Sequence, residues 1–167
     1  MRILAVSGSL RASSGNTALL KAAQKAAPPD LEIALFTQLE AIPAFNPDRE
    51  AETAPSAVAA LRDSVREHDA VLISTPEYAH GIPGVLKNAL DWLVGSGEFY
   101  EKPVAFLHTS PRGEIARAAL KEVLVTMAAQ FVFDGEAEPG DTQALRAALA
   151  EIQSGAARAN AQAQNKP

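Results

Sequence analysis

Residues 7–17, Ser7-Gly8-Ser9-Leu10-Arg11-Ala12-Ser13-Ser14-Gly15-Asn16-Thr17, have the makings of an anion cradle. Hydroxyls, an amide and two glycines supply short donors and let the backbone turn its N–H groups inward. A helix start just after them adds unpaired N–H groups and a partial positive charge. Arg11 adds a forked cation suited to phosphate. A terminal phosphate asks for several donors and compensation of roughly two charges, which this loop can supply. The Gly-Lys-Ser/Thr ending of a triphosphate cradle and the G-x-G-x-x-G dinucleotide fingerprint are both missing. The same residues also make ordinary turns and helix caps with Arg11 solvated, so this loop alone leaves both readings open.

A second segment, residues 75–92, is more informative. Pro76 ends a strand, Gly81 frees the backbone for close approach to a flat ligand, and Pro83 fixes a helix start. Between the prolines, N–H and C=O groups can read the polar edge of a ring, and Tyr78 offers an aromatic surface. Glu77 also suits a solvated loop acid. His80 reads better as an ordinary surface histidine, because an acid-base role requires a placed partner. A third stretch, His108-Thr109-Ser110-Pro111-Arg112-Gly113, suits either ligand contact or a plain turn. His68, His80 and His108 fall on a helix end, a loop and a strand end, with no Asp or Glu at metal-ligand spacing. No metal site is expected.

These segments need a frame, and two periodicities alternate to provide it. Residues 2–6, 31–36 and 70–74 read as strands, the last a nearly continuous apolar run suited to the centre of a parallel sheet. Residues 103–108 are another strand, and 131–133 an edge strand. Helices are expected over 17–27, stopped by Pro28-Pro29, and over 56–67, with Val58, Leu61 and Val65 on one face. Others are expected over 83–94, over 114–130 with an apolar stripe at Leu120, Val123, Leu124 and Met127, and over 142–158. Residues 39–54 read as a long irregular connection. We expect one domain over 1–158 and a frayed polar tail over 159–167. This order implies a three-layer, doubly wound α/β fold around a five-stranded parallel sheet. Ligands of such sheets bind beyond the carboxyl ends of the strands, at the switch point, which here means loops 7–16, 75–83 and 109–113.

Composition narrows the function classes. There is no cysteine, which removes disulfides, thiolate metal sites and cysteine nucleophiles together. The net charge of −5 is scattered, with no basic face to neutralise phosphates, so nucleic acid is not an expected partner. The chain shows neither a basic leader nor an apolar stretch of bilayer length, so we expect a cytoplasmic protein and no membrane partner.

Gly8-Ser9-Leu10-Arg11 with Ser14 and Asn16, together with Pro76-Glu77-Tyr78 and Gly81-Ile82-Pro83-Gly84 running into Leu86-Lys87-Asn88-Ala89-Leu90-Asp91-Trp92, resembles the NADPH-dependent FMN reductase family. That family includes quinone, chromate and azo-dye reductases, and the resemblance covers residues 2–129. It implies a flavodoxin-like fold, bound flavin mononucleotide (FMN), NADPH or NADH as electron donor, a small-molecule acceptor, and a homodimer or homotetramer with active sites near subunit interfaces. It assigns the phosphate to Ser9, Arg11, Ser14, Asn16 and Thr17. Pro76, Glu77 and Tyr78 would lie along the flavin ring, with the backbone of Ala79, His80, Gly81 and Ile82 near its reactive edge. Ala79 stands where the family often has Asn, which leaves contact there to the backbone. Ser110, Arg112 and Gly113 would approach the pyrimidine and ribityl side, with Arg112 also suited to the phosphate of NADPH. Lys87, Asp91 and Trp92 are expected to pack or to form an interface. The flavin would carry the electrons in a ping-pong exchange, so no side chain is given a catalytic role. A one-electron carrier on the same fold is the alternative, against which stand Arg11 and the mild acidity. A flavin-binding module without catalysis, or one that has lost its flavin, is a further one.

Overall fold

Alternation along the strands decides the layers. In a computed structural model, which describes residues 1–50 and 54–164, Ile3 and Ala5 of β1 (Arg2–Ser7) face one side of a sheet and Leu4 and Val6 the other. The same split runs through β3 (Ala70–Ser74), with Leu72 on the first side and Val71 and Ile73 on the second. β4 (Pro103–His108) repeats it, so both faces are apolar and both must be covered. On the first face lie α1 (Gly15–Ala26) and α6 (Thr142–Gln164), through Leu19, Leu20, Leu145, Leu149 and Ile152. The second face takes α3 (Ser56–Glu67), α4 (Gly84–Val94) and α5 (Glu114–Thr126), through Val58, Leu61, Leu90, Leu120 and Leu124. With β2 (Glu32–Phe36) and β5 (Gln130–Glu136), the strand order is β2-β1-β3-β4-β5, every pair parallel. The chain runs outward from β1 on one side and returns through β3 on the other, which puts the switch point between β1 and β3.

The expected elements are present, with shifts at their ends. The helix expected to reach residue 130 ends at Thr126, because Ala128 enters the left-handed region (φ 57°) and Ala129 N–H closes onto Leu124 O. No glycine marks that stop, so the sequence pattern ran through it. β5 is accordingly longer than expected and carries a bulge: Val104 pairs with Phe131 but Ala105 with Phe133. Gly155 of α6 lets that helix approach the bulge, since a Cβ there would lie 2.9 Å from Val132 Cβ. α6 continues past Arg158 to Gln164 with Ala159 buried, where a frayed tail was expected; its Ala and Gln residues are good helix formers. The tail's remaining residues, 165–167, lie outside the described ones.

The connection expected to be irregular holds a single 3-10 turn (Leu39–Ala41) and the short α2 (Pro47–Glu50); its residues 51–53 lie outside the described ones. α4 ties it down. Asn88 Oδ1 accepts from Phe45 N–H at 2.8 Å, and Pro43 O accepts from both Asn88 Nδ2 and Trp92 Nε1 at 2.9 Å. Trp92 is fully buried and meets Phe45 edge to face, and Lys87 pairs with Asp91 one turn on. Of the three residues expected to pack or to form an interface, Trp92 packs, while Lys87 and Asp91 form a partly exposed ion pair along α4. Among the described residues no helix is long and apolar enough to cross a membrane.

Candidate functional site

Parallel β1, β3 and β4 end side by side, and that alone brings the three chemistry-bearing loops together. Gly8 N–H donates to Ser74 O at 2.9 Å, continuing the ladder past the strand ends. Only glycine fits there: a Cβ on Gly8 would lie 2.1 Å from Thr75 Oγ1 and 2.7 Å from Thr75 Cβ. A cleft of about 460 Å³ opens beyond, lined by Asn16 from the first loop, Thr75, Pro76 and Glu77 from the second, and His108, Thr109, Ser110, Arg112 and Gly113 from the third. Around the corner, a cavity of about 290 Å³ is lined by Ser9, Arg11, Thr17 and Lys21 among others. A groove of about 410 Å³ between α1 and α6 is lined by alanines, Lys21, Lys25, Pro139, Thr142 and Leu145, and lies on the flank of the helices rather than at the switch point.

Within the first loop some donors are spent on the loop itself. Ser14 is buried and caps α1, its Oγ accepting from Thr17 N–H at 3.3 Å. Thr17 Oγ1 pairs with Ser7 Oγ at 2.8 Å, and Ser9 Oγ accepts from Arg11 N–H at 3.3 Å. Others stay open. Asn16 Oδ1 accepts from the buried Ser74 hydroxyl at 3.0 Å, which leaves the amide NH2 unpaired among the described residues. The N–H groups of Gly15 and Asn16 and the guanidinium of Arg11 likewise have no partner among the described residues. Unpaired donors, a helix start and a free cation fit an anionic phosphate beside the cleft.

The second loop is a tight turn. Tyr78 and Gly81 exchange both backbone hydrogen bonds, at 3.1 and 3.0 Å, around Ala79 (φ 49°) and His80 (φ 57°). Left-handed residues were not expected here; the sequence pointed to Gly81, whose φ is ordinary. Two consecutive positive φ values make the turn of the primed type, usually reserved for Asn and Gly. Tyr78 is 54% exposed, while Ile82 is partly buried against the core.

Glu77 is partly buried in the cleft wall. Its Oε2 accepts from Ala116 N–H at 2.9 Å, and its Oε1 lies 3.2 Å from His80 Nδ1. The Ala116 N–H holds the Glu77 carboxyl below its ordinary range; partial burial works against this, and His80 adds to it. His80, read from sequence as a plain surface residue, is exposed but has a carboxylate partner. Sequence reasoning missed the scaffold of the third loop. Arg117 donates to Pro111 O and Arg112 O at 3.0 and 2.8 Å, and Gly113 starts α5 with φ 90°. His108 sits between Ser110 O at 2.9 Å and Asp134 at 3.4 Å. Only a strand-end position hinted at His108, and nothing in the spacing hinted at Arg117. The described residues contain no group of three or more His, Asp or Glu that could hold a metal ion.

Known proteins resemble this chain in sequence and in fold. The family model described as NADPH-dependent FMN reductase matches residues 1–143. The chain is 42% identical over 130 residues to a NAD(P)H-dependent FMN reductase of Pseudomonas aeruginosa, covering 75% of this chain and 70% of that one. It is 35% identical over 139 residues to a quinone reductase of Escherichia coli, covering 79% and 73%. Among solved structures, the flavoenzyme NAD(P)H:(acceptor) oxidoreductase FerB of Paracoccus denitrificans superposes with a TM-score of 0.76 at 29% identity, over 95% of this chain and 97% of that one. A flavodoxin from the domain Archaea shares the fold, with a TM-score of 0.62 at 15% identity over 96% and 99% of the two chains.

Proposed function

The chain belongs to the NADPH-dependent FMN reductase family, and on that premise we propose that it is an FMN-dependent NAD(P)H oxidoreductase acting on quinones, free flavin or similar small acceptors. The observation that carries the proposal is the meeting of three loops at the switch point around one cleft, beside unpaired phosphate donors. Bound FMN would supply the redox chemistry, accepting two electrons from NADPH or NADH and handing them to the acceptor.

The chain's own residues bind and orient. Arg11, the Asn16 amide and the N–H groups opening α1 would hold the phosphate, with Arg11 supplying the compensating charge, while Ser9, Ser14 and Thr17 keep that loop in shape. The backbone groups of Ala79 and His80, which the Tyr78–Gly81 bonds leave over, would meet the ring edge, and Ser110, Arg112 and Gly113 bound the cleft on its other side. Donors fixed before the ligand arrives cost no reorganisation when charge develops on it. Leu10, Tyr78 and Ile115 are large apolar side chains left exposed on the first two loops and the start of α5. Such exposure at the rim of a site favours a homodimer or homotetramer whose subunit interfaces lie near it.

Reconstituting the chain with FMN and adding NADPH without oxygen tests this directly. The visible flavin band should bleach, then return when a quinone is added. A flavin that stays oxidised would mark an electron carrier instead, and a chain that takes up no FMN would remove the flavin reading altogether.

A further inference from the structure

We infer that Glu77 is a positioning residue: its carboxylate clamps the 76–83 loop to the first turn of α5, and so sets both walls of the flavin cleft without holding the flavin itself. The consequence for flavin rests on the function proposed above, whereas the clamp stands on geometry alone.

α5 opens at Gly113, which has no side chain to cap the helix, and no residue of its own loop caps it. First-turn N–H groups have no intrahelical acceptor and need one from elsewhere. Glu77 supplies it across 39 positions, its Oε2 on Ala116 N–H at 2.9 Å. The two loops pack closely at this point, since a Cβ on Gly113 would lie 3.6 Å from Glu77 Cβ. The other carboxylate oxygen meets His80 Nδ1 at 3.2 Å, reaching across the turn whose central residues, Ala79 and His80, both hold positive φ. Neither is glycine, so the turn is kept against its local preference and depends on what surrounds it. Both carboxylate oxygens are therefore engaged with protein, and the Glu77 side chain is only 19% exposed. A group so committed can act on the ligand by fixing the turn and the helix start relative to each other.

The test compares the full chain, freed of FMN, with Glu77→Ala, Glu77→Gln and Glu77→Asp. Hydrogen exchange over residues 76–83 and 113–118 reads the clamp, and FMN titration followed by fluorescence reads its consequence. Gln keeps an oxygen for Ala116 N–H and loses the charge; Asp keeps the charge and loses the reach. Removing an acceptor from a buried N–H leads us to expect about tenfold faster exchange at 113–118 and about tenfold weaker FMN binding for Ala and Asp, with Gln within about threefold of wild type in both. Should Glu77→Ala not fold, the contrast between Gln and Asp decides alone. Wild-type exchange in Asp and Ala would overturn the clamp. So would Gln binding FMN as weakly as Ala while exchanging like wild type, because the carboxylate would then be touching the ligand. If no variant and not even the parent chain takes up FMN, but the exchange pattern is as expected, the clamp holds and the flavin reading falls.

Discussion

The Ser74 hydroxyl donates to Asn16 Oδ1 at 3.0 Å, joining the end of β3 to the first turn of α1 across 58 positions. That bond settles which end of the Asn16 amide is left for a ligand. Ser74→Ala should therefore weaken FMN binding, since the amide can turn its oxygen toward the phosphate, and should cost about 1 kcal/mol of stability. Titration with FMN beside urea unfolding measures both, and an unchanged affinity would show that Asn16 does not face the ligand.

Arg11 is exposed and has no side-chain partner among the described residues. Replacing it with Ala should weaken FMN binding about tenfold through loss of a charge-assisted bond, yet shift stability by less than about 0.5 kcal/mol. Equal FMN affinity in wild type and variant would take Arg11 out of the phosphate site.

Gly8→Ala tests the convergence of the loops. Its Cβ would meet Thr75 Cβ as well as Oγ1, so rotating the Thr75 side chain cannot relieve the clash. A loss of about 1–3 kcal/mol is expected in denaturant unfolding, together with loss of FMN binding. A variant as stable as the parent would mean that the first and second loops do not approach each other closely at Gly8 and Thr75.

The turn at residues 78–81 is the place where stability should rise on mutation. Ala79 holds φ 49°, where a Cβ is disfavoured and glycine is not. Ala79→Gly should stabilise the chain by about 0.5–1 kcal/mol, seen as a higher melting temperature. A lower one would place Ala79 in ordinary backbone.

Glu77 gives the chain one acid-sensitive contact. Its carboxyl titrates lower when folded than when unfolded, so the unfolded chain takes up the proton first as pH falls. The stability it contributes is fully present above the carboxyl's unfolded-chain value and is lost as pH drops through the lower folded one. Glu77→Gln removes that dependence. The stability gap between parent and Gln variant should shrink from pH 6 toward pH 3 in urea titrations, and a constant gap would mean the carboxyl is not perturbed.

Much of the fold was legible because it depends on patterns that repeat locally. The apolar run at 70–74, the stripe of Val58, Leu61 and Val65, and prolines at 76 and 83 each report on neighbours a few positions away. Ends without a local mark were misjudged, as at Ala128, where an alanine rather than a glycine takes the left-handed conformation. The same limit applied within the site. Gly81 drew attention as the flexible residue, while the positive φ values fell on Ala79 and His80, imposed by the bonds between Tyr78 and Gly81.

By itself the sequence determined the alternation of strands and helices, the position of the loops at the carboxyl edge, and the residue types able to meet a phosphate and a flat ring. Periodicity and turn chemistry act over three or four residues, and a single chain carries them in full. Tertiary structure alone decided which of those groups remain available: Ser14 and Thr17 are absorbed by the loop, Asn16 is oriented by Ser74, and Glu77 is drawn to the start of α5. Each outcome depends on a partner tens of residues away or on competition among nearby donors, and a hydrogen bond forms only where the folded backbone sets its two ends about 3 Å apart.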